Sequence, residues 1–301
     1  MYFTINGKEV TRFKIFEQKP KLFIWLLINF LAFWASTQSL VIGLIISIIL
    51  YALLINFALS DTLENILRRM NDVRRIATST EKERLNNLFD EVYKNVLNNA
   101  NNISSEIRLY IQDTMSINAF AIGRKTIVVT RGLMENFTDE QIKAILAHEF
   151  SHIVNGDTQL SMLISIGSTI YLWLFVAVKL IFQMLENAND ESNVISGTAH
   201  FVSFIMDIAI FLMTLIANIA IMSYYRNTEF IADECAYRLG YGEDLLSALY
   251  KIYNMEISDQ KRLVDRLQSS HPKTAFRIER LEQIVNTVPL FDNINLQHNN
   301  V

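Results

Sequence analysis

Two of the chain's five histidines, His148 and His152, lie four residues apart, and Glu149 directly follows the first of them. Residues four apart share one face of an α-helix, so both imidazoles can bind one metal ion through neutral ring nitrogens. Glu149 would lie about 100° around the helix from His148, within reach of a water molecule held at that metal. The three residues therefore predict a site that activates water.

The order His-Glu-x-x-His is the arrangement of zinc proteases, in which the glutamate is the general base. The alternative is a pair of solvated histidines on an amphipathic helix. That alternative fits less well because apolar residues surround the pair, namely Ala144, Ile145, Ala147 and Ile153. We therefore expect one Zn²⁺ ion per chain.

Independent signals place this motif on a helix. Thr138 is a suitable N-cap, and Gln141 three residues later completes a capping box. Asp139 and Glu140 add negative charge at the positive end of the helix dipole. Apolar residues at helical spacing continue to about Val154, which is the expected end of the helix.

Four apolar runs divide the chain. Residues 22–35 and 40–59 predict a transmembrane hairpin, because twenty residues at 1.5 Å each span a bilayer core of about 30 Å. Residues 160–185 and 201–222 predict a second pair, with helices buried in a large soluble core as the alternative. Asp207 is costly in lipid, so we expect it to face a neighbouring helix or a cavity.

Basic residues flank these runs on one side only. They precede residue 22 and follow residue 59, whereas the loop 186–200 contains none. The positive-inside rule then places both termini and the segments 60–158 and 224–301 on the inner face. The His-Glu-x-x-His motif is therefore expected at the inner membrane surface.

A catalytic zinc site needs a third protein ligand and one open position. A third histidine soon after the motif is excluded, because Asn155 and Thr158 occupy the positions where it would stand. His200 is predicted on the outer side of the membrane. A glutamate from a second helix is the other solution. Glu229 and Asp233 share a helix face, so one can bind the metal while the other supports a ligand.

Strand-like segments precede the motif helix. Residues 106–112 alternate in polarity, and 117–122 and 126–130 form two apolar stretches joined by a turn at 123–125. Residues 61–97 carry apolar side chains at helical spacing with basic residues between them. They predict amphipathic helix that leaves the membrane.

Composition narrows the class of partner. The chain has 301 residues, 51% of them hydrophobic and 19% charged, and its net charge of -4 argues against nucleic acid. The one cysteine, Cys235, excludes an intrachain disulfide and suits a reducing compartment. We interpret it as a small buried residue.

Five segments, taken together, resemble the HtpX-type membrane zinc endopeptidases, which are relatives of the CAAX prenyl proteases. In family order they are NAFAIG (118–123), VVTRGLM (128–134), AHEFSHIVNGD (147–157), RNTEFIADECA (226–236) and SHPKTAFRIERL (270–281). The resemblance implies an α+β membrane protein, mainly helical, with about four transmembrane helices and a zincin-type (gluzincin) catalytic domain that has a small β-sheet. It also implies an ATP-independent endopeptidase that hydrolyses misfolded or damaged membrane proteins in membrane protein quality control and the stress response.

The resemblance also implies roles for individual residues. It puts His148, His152 and Glu229 on zinc, with Glu149 as the general base. It puts Asn118 and Ala119 on an edge strand that pairs with the substrate backbone, as an extended peptide can add to a sheet edge.

Four further residues match the family pattern. Asp233 resembles an acid that supports a metal ligand, and Asp157 either does the same or caps the following helix. His271 and Arg277 would help to bind the developing oxyanion or hold the site together. A histidine before Pro272 is alternatively a turn residue, and His271 could also close the zinc coordination sphere and keep the enzyme latent.

The predicted organisation alternates membrane and cytoplasmic parts. It comprises an N-terminal cytoplasmic segment (1–21), a transmembrane hairpin (22–59), the first part of the protease domain (60–158), a second transmembrane pair (159–223), and the second part of that domain with the third ligand and C-terminal helices (224–301). The expected location is a bacterial plasma (inner) membrane, multi-pass, with a cytoplasmic active site. Expected partners are peptide or protein substrates, above all membrane proteins, and the lipid bilayer.

Two other functions remain open at this stage. A CAAX-type prenyl-peptide protease is disfavoured because the chain is small and has few membrane runs. A non-catalytic membrane scaffold with structural zinc is disfavoured because Glu149 is present.

Overall fold

The computed structural model describes most of the polar chain and little of the apolar runs. The described residues are 2–5, 8–12, 40–75, 79–99, 106–163, 165–166, 180, 184, 208, 227–258 and 274–287. The chain divides into two compact units. The larger comprises Met1–Lys14, Leu59–Leu160 and Tyr224–Val301, and the smaller comprises Ile15–Ala58 and Ser161–Ser223.

The described part of the smaller unit is chiefly helix α1 (Leu40–Ala58). Its large apolar side chains are exposed where they are described, as at Val41, Ile48 and Leu53. Within the described ranges, no single helix meets the length and hydropathy of a membrane span, although Ile48–Ala58 and Asp61–Met70 meet them as a bent pair. The predicted run 22–35 lies outside the described residues, and most of 160–185 and 201–222 does so as well.

The larger unit begins with a hairpin that the sequence did not predict. Strands β1 (Tyr2–Ile5) and β2 (Lys8–Arg12) pair antiparallel, with Tyr2 opposite Arg12.

The amphipathic helix predicted over 61–97 is interrupted, because two helices and a short strand occupy this segment. Helix α2 (Asp61–Met70) ends where Asp72 adopts a left-handed φ of 52°. Asparagine and aspartate tolerate this conformation better than other residues with side chains, and it turns the chain out of the helix. Strand β3 (Val73–Arg74) follows, and helix α3 (Ser79–Asn99) then resumes the amphipathic pattern.

Four strands form the sheet of the larger unit, in the order β3-β4-β6-β5. Strand β4 (Arg108–Gln112) runs parallel to β6 (Thr126–Thr130), whereas β5 (Ala119–Ile122) is antiparallel to β6. All five residues of β6 are buried, as expected of a β-branched run inside a sheet. Among the described strands, β5 is therefore an edge.

Helices follow the sheet. Thr130 caps the short helix α4 (Arg131–Asn136), and Thr138 caps α5 (Asp139–Asn155) through the predicted capping box with Gln141. Helix α5 ends at Gly156, whose φ of 77° is a left-handed C-cap that glycine adopts without strain. The chain is helical again over residues 157–163.

Three helices complete the larger unit. Helix α6, described over residues 227–236, is followed by Tyr237–Tyr241, where the chain kinks at Gly240, whose φ is 93°. Helices α7 (Gly242–Ser258) and α8 (Thr274–Thr287) follow.

Helix α5 lies at the centre of the hydrophobic core. The ring of Phe150 is fully buried and stacks on Tyr93 of α3 with centroids 5.4 Å apart. On α7 and α8, Leu249 and Leu281 belong to the same buried cluster. Because one face of α5 is fixed by this packing, the side chains on its other face are held in set directions.

Candidate metal centre

Three buried side chains converge at one point of the larger unit. His148 and His152 lie on successive turns of α5, with their rings nearly perpendicular and their Nε2 atoms 3.2 Å apart. Glu229 approaches from α6, with Oε2 3.4 Å from Nε2 of His148 and Oε1 3.5 Å from Nε2 of His152. The structure thus brings together the two histidines and the acid that sequence analysis selected.

The donor set fits a small metal ion. Two imidazole nitrogens and one carboxylate are a ligand set of catalytic zinc sites. Ligand atoms bound at about 2.0–2.1 Å to a tetrahedral ion lie about 3.3–3.4 Å from one another. The two Nε2 atoms, 3.2 Å apart, are close to that spacing, and each has a different oxygen of Glu229 at 3.4 or 3.5 Å.

A second carboxylate orients each histidine. Asp233 Oδ1 lies 2.9 Å from Nδ1 of His148, and Asp157 Oδ2 lies 3.0 Å from Nδ1 of His152. A proton on each Nδ1 would be donated to the carboxylate, which leaves the Nε2 lone pair for a metal. Both rings are therefore held with their Nε2 atoms toward Glu229.

The charge around the histidines favours a cation. Burial and the nearby Arg277 lower the pKa of His148, but Asp233 and Glu229 outweigh them, so that its pKa is raised overall. Burial likewise lowers the pKa of His152, yet Asp157 and Glu229 raise it well above its usual value. The acids around the rings thus stabilise positive charge where the Nε2 atoms converge.

Arg277 on α8 joins this cluster through the acids. Its Nε and Nη2 donate to the two oxygens of Asp233 at 2.8 and 2.6 Å, and its Nη1 lies 3.1 Å from Glu229 Oε2. Burial raises the pKa of Asp233, but Arg277 and His148 outweigh burial and lower it overall. Through these contacts Arg277 links α8 to the acids of α6, and its role at the oxyanion stays a prediction.

Glu149 lies at a cleft beside the histidines. It is 6% exposed and lines a cavity of about 170 Å³ together with His148 and Arg277. Apolar side chains of α7 form another part of the lining, at the helical spacing of Leu245, Ala248, Leu249 and Ile252. Sequence analysis did not predict this apolar lining, although the spacing of these residues indicates a helix.

Asn118 and Ala119 line the same cavity from the sheet side. The amide of Thr130 on β6 donates to the carbonyl of Asn118 at 3.0 Å, and the Asn118 amide donates to the Thr130 hydroxyl. In an antiparallel ladder alternate residues face the partner strand, so Ala119 and Ala121 direct their main-chain groups to the other edge. Ala119 is thus better placed than Asn118 to pair with an added strand.

Cys235 and His271 complete the set of predicted residues. Cys235 on α6 is fully buried, and burial raises the pKa of its thiol to about 12. His271 lies outside the described residues.

Comparison with known proteins gives a family. Residues 81–285 match the model of peptidase family M48. The protease HtpX homolog of Sulfurovum sp. (strain NBC37-1) is 33% identical over 201 residues, which cover 58% of this chain and 68% of that protein. Protease HtpX of Vibrio vulnificus (strain YJ016) is 32% identical over 187 residues, with coverage of 57% and 64%.

The match to these curated relatives spans about two thirds of their length. Among solved structures, the crystal structure of S. mikatae Ste24p aligns with 89% of this chain and 63% of its own, at a TM-score of 0.42 and 19% identity.

Proposed function

Since this chain belongs to peptidase family M48, we propose that it is a zinc-dependent endopeptidase whose metal is held by His148, His152 and Glu229. The observation that carries the proposal is the convergence of one ligand atom from each residue, all within 4.8 Å of one another. When bound there, zinc would lower the pKa of a water molecule toward about 7 and polarise a carbonyl group.

The chain's own residues would supply the other functions of a peptidase. Glu149, at the cleft, accepts a proton from the attacking water and transfers it to the leaving amine. Arg277 keeps Asp233 ionised, and Asp233 holds the ring of His148 in place. The main chain of Ala119 on β5 binds the substrate backbone as an added strand.

We propose that the substrates are membrane proteins, cut at the inner face of a bacterial plasma membrane in quality control. The apolar runs, their flanking basic residues and the exposed apolar side chains of α1 support a membrane location. The names of the matched relatives, protease HtpX, support a protease of the same type.

The decisive experiment compares Glu149→Gln with the wild type in detergent. We expect Glu149→Gln to keep one zinc per chain, measured by elemental analysis, because no ligand is changed. We expect its hydrolysis of a quenched-fluorescent unfolded protein to fall about 10²–10⁴-fold, because the general base is lost. Glu140→Gln is the matched control, since Glu140 is exposed in the first turn of the same helix.

Three results would contradict the proposal in different ways. Full activity of Glu149→Gln would remove the general base from the mechanism. Wild type that binds zinc without hydrolysing any substrate would favour a scaffold with structural zinc. Faster cleavage of a farnesylated peptide than of an unfolded membrane protein would favour a prenyl-peptide protease.

A further inference from the structure

The turn between β5 and β6 is held from the side of helix α2. Gly123 in this turn has a left-handed φ of 61°, and a Cβ there would overlap the carboxylate of Glu64. Glu64 is only 5% exposed, and it accepts hydrogen bonds from the Arg124 amide at 3.3 Å and the Thr126 hydroxyl at 2.5 Å. The carboxylate thus occupies the space that glycine leaves, and it binds the turn at Arg124 and the start of β6 at Thr126.

A second contact reaches the same turn from beyond the end of α5. The Thr158 hydroxyl donates to the carbonyl of Gly123 at 2.6 Å. Thr158 directly follows Asp157, whose carboxylate lies 3.0 Å from Nδ1 of His152. Two consecutive residues therefore touch a metal ligand and the turn that ends strand β5.

The backbone between the end of α5 and Thr158 is fixed. Gly156 caps α5 in the left-handed conformation, and its carbonyl accepts the amide of Leu160 as helical structure resumes. The directions of Asp157 and Thr158 are consequently set by the end of the helix that carries both histidines.

We propose that Thr158 and Glu64 are positioning residues that fix strand β5 in register with the metal centre, so that a bound substrate backbone is aligned for cleavage. The inference rests on the proposed peptidase function, because it assigns the edge of β5 to the substrate. Strand β5 has four residues and, among the described strands, a single neighbour, so its turn needs anchoring. A strand edge that is less well fixed binds the substrate backbone less tightly in the ground state and the transition state alike, which raises KM and leaves kcat nearly unchanged.

The first test is a pair of substitutions at one position. Thr158→Val keeps the shape of the side chain and removes the hydroxyl, whereas Thr158→Ser keeps the hydroxyl. A lost hydrogen bond corresponds to about a 2–12-fold change in an equilibrium constant, so we expect KM to rise by that factor in Thr158→Val. We expect kcat and zinc content to stay close to the wild type, and Thr158→Ser to restore KM.

Two further variants serve as confirmation and control. Glu64→Gln has nearly the same volume but one fewer acceptor oxygen, so it should raise KM in the same direction. Thr62→Val removes an exposed hydroxyl from the same helix α2 and should leave KM unchanged. Wild-type KM in both Thr158→Val and Glu64→Gln would overturn the proposal, as would equal effects of Thr158→Val and Thr158→Ser.

Hydrogen exchange separates this inference from the proposed function. In Thr158→Val the amides of Phe120 and Ile122, which face β6, should exchange faster, while those of α5 stay protected. If the wild type hydrolyses no peptide, the proposed function fails, but the exchange of β5 still reports whether Thr158 anchors it. Unchanged exchange in β5, or loss of zinc from Thr158→Val, would show that the hydroxyl does not act on the strand.

Discussion

Arg277 holds Asp233 by two parallel hydrogen bonds, from Nε at 2.8 Å and from Nη2 at 2.6 Å. The same carboxylate lies 2.9 Å from Nδ1 of His148, so a residue of α8 acts on a proposed metal ligand of α5 through an acid of α6. This chain of contacts joins three helices at the site.

Removal of Arg277 should destabilise the protein most when zinc is absent. Arg277→Ala leaves the buried carboxylates of Asp233 and Glu229 without their cation, which costs about 3–5 kcal/mol in comparable buried pairs. A bound zinc ion would offset part of that loss. Chemical unfolding measures the free energy of unfolding with zinc present and with a chelator present. Arg280→Ala, at an exposed position of the same helix, is the control. Equal losses in both conditions would contradict the prediction.

Asp157→Ala should weaken zinc binding without unfolding the protein. The substitution removes the carboxylate that orients His152 through Nδ1, and losses of such partners cost about 10–100-fold in metal affinity. A competition titration against a chelator of known affinity measures the change. Thr158→Ser, at the next residue, controls for disturbance of the backbone. Wild-type affinity in Asp157→Ala would mean that Asp157 only begins the following helix.

Thr138→Ala should lower the free energy of unfolding by about 1 kcal/mol, the usual contribution of a helix N-cap. The Thr138 hydroxyl accepts the amide of Gln141 at the start of α5, so its loss weakens the helix that carries the histidines. Thr138→Ser keeps the accepting oxygen and should be nearly neutral. Urea titrations of the two variants decide the matter, and equal losses would exclude the cap as the cause.

The thiol of Cys235 should stay unreactive in the folded protein well above neutral pH. Burial raises the pKa of this thiol from 9.0 to about 12. Below pH 9.0 the thiol is protonated in both the folded and the unfolded state, so its contribution to the free energy of unfolding is complete there. That contribution is lost as pH rises toward about 12, because only the unfolded thiol ionises in this window. Labelling with a thiol reagent at pH 9.5 should be slow in native protein and fast in denaturant. Rapid labelling of native protein would place the thiol at the surface.

The helix that carries the His-Glu-x-x-His motif could be predicted from the sequence because its signals are local. The capping box of Thr138 and Gln141 and the spacing of the histidines depend on residues within one helix, and the structure has both. The strands over 108–112, 119–122 and 126–130 also lie within the predicted segments. The resemblance to a peptidase family is confirmed by the match over residues 81–285.

Long-range relationships could not be predicted in the same way. The parallel pairing of β4 with β6 depends on contacts across the sheet, and no local pattern specifies which strand lies at the edge. The bidentate contact of Arg277 with Asp233 joins residues 44 positions apart. The break at Asp72 is a different case, because Asn71 and Asp72 are residues that favour a turn and were overlooked.

The ligands of the metal centre come from two distant stretches of chain, His148 and His152 before residue 160 and Glu229 well after it. During translation the ribosome therefore completes the histidine helix long before it adds the carboxylate and Arg277. Two imidazoles alone leave the centre one ligand short, so a nascent chain at that stage has no finished site. The hydrolytic capacity proposed for this site would therefore arise only after Glu229 has been added.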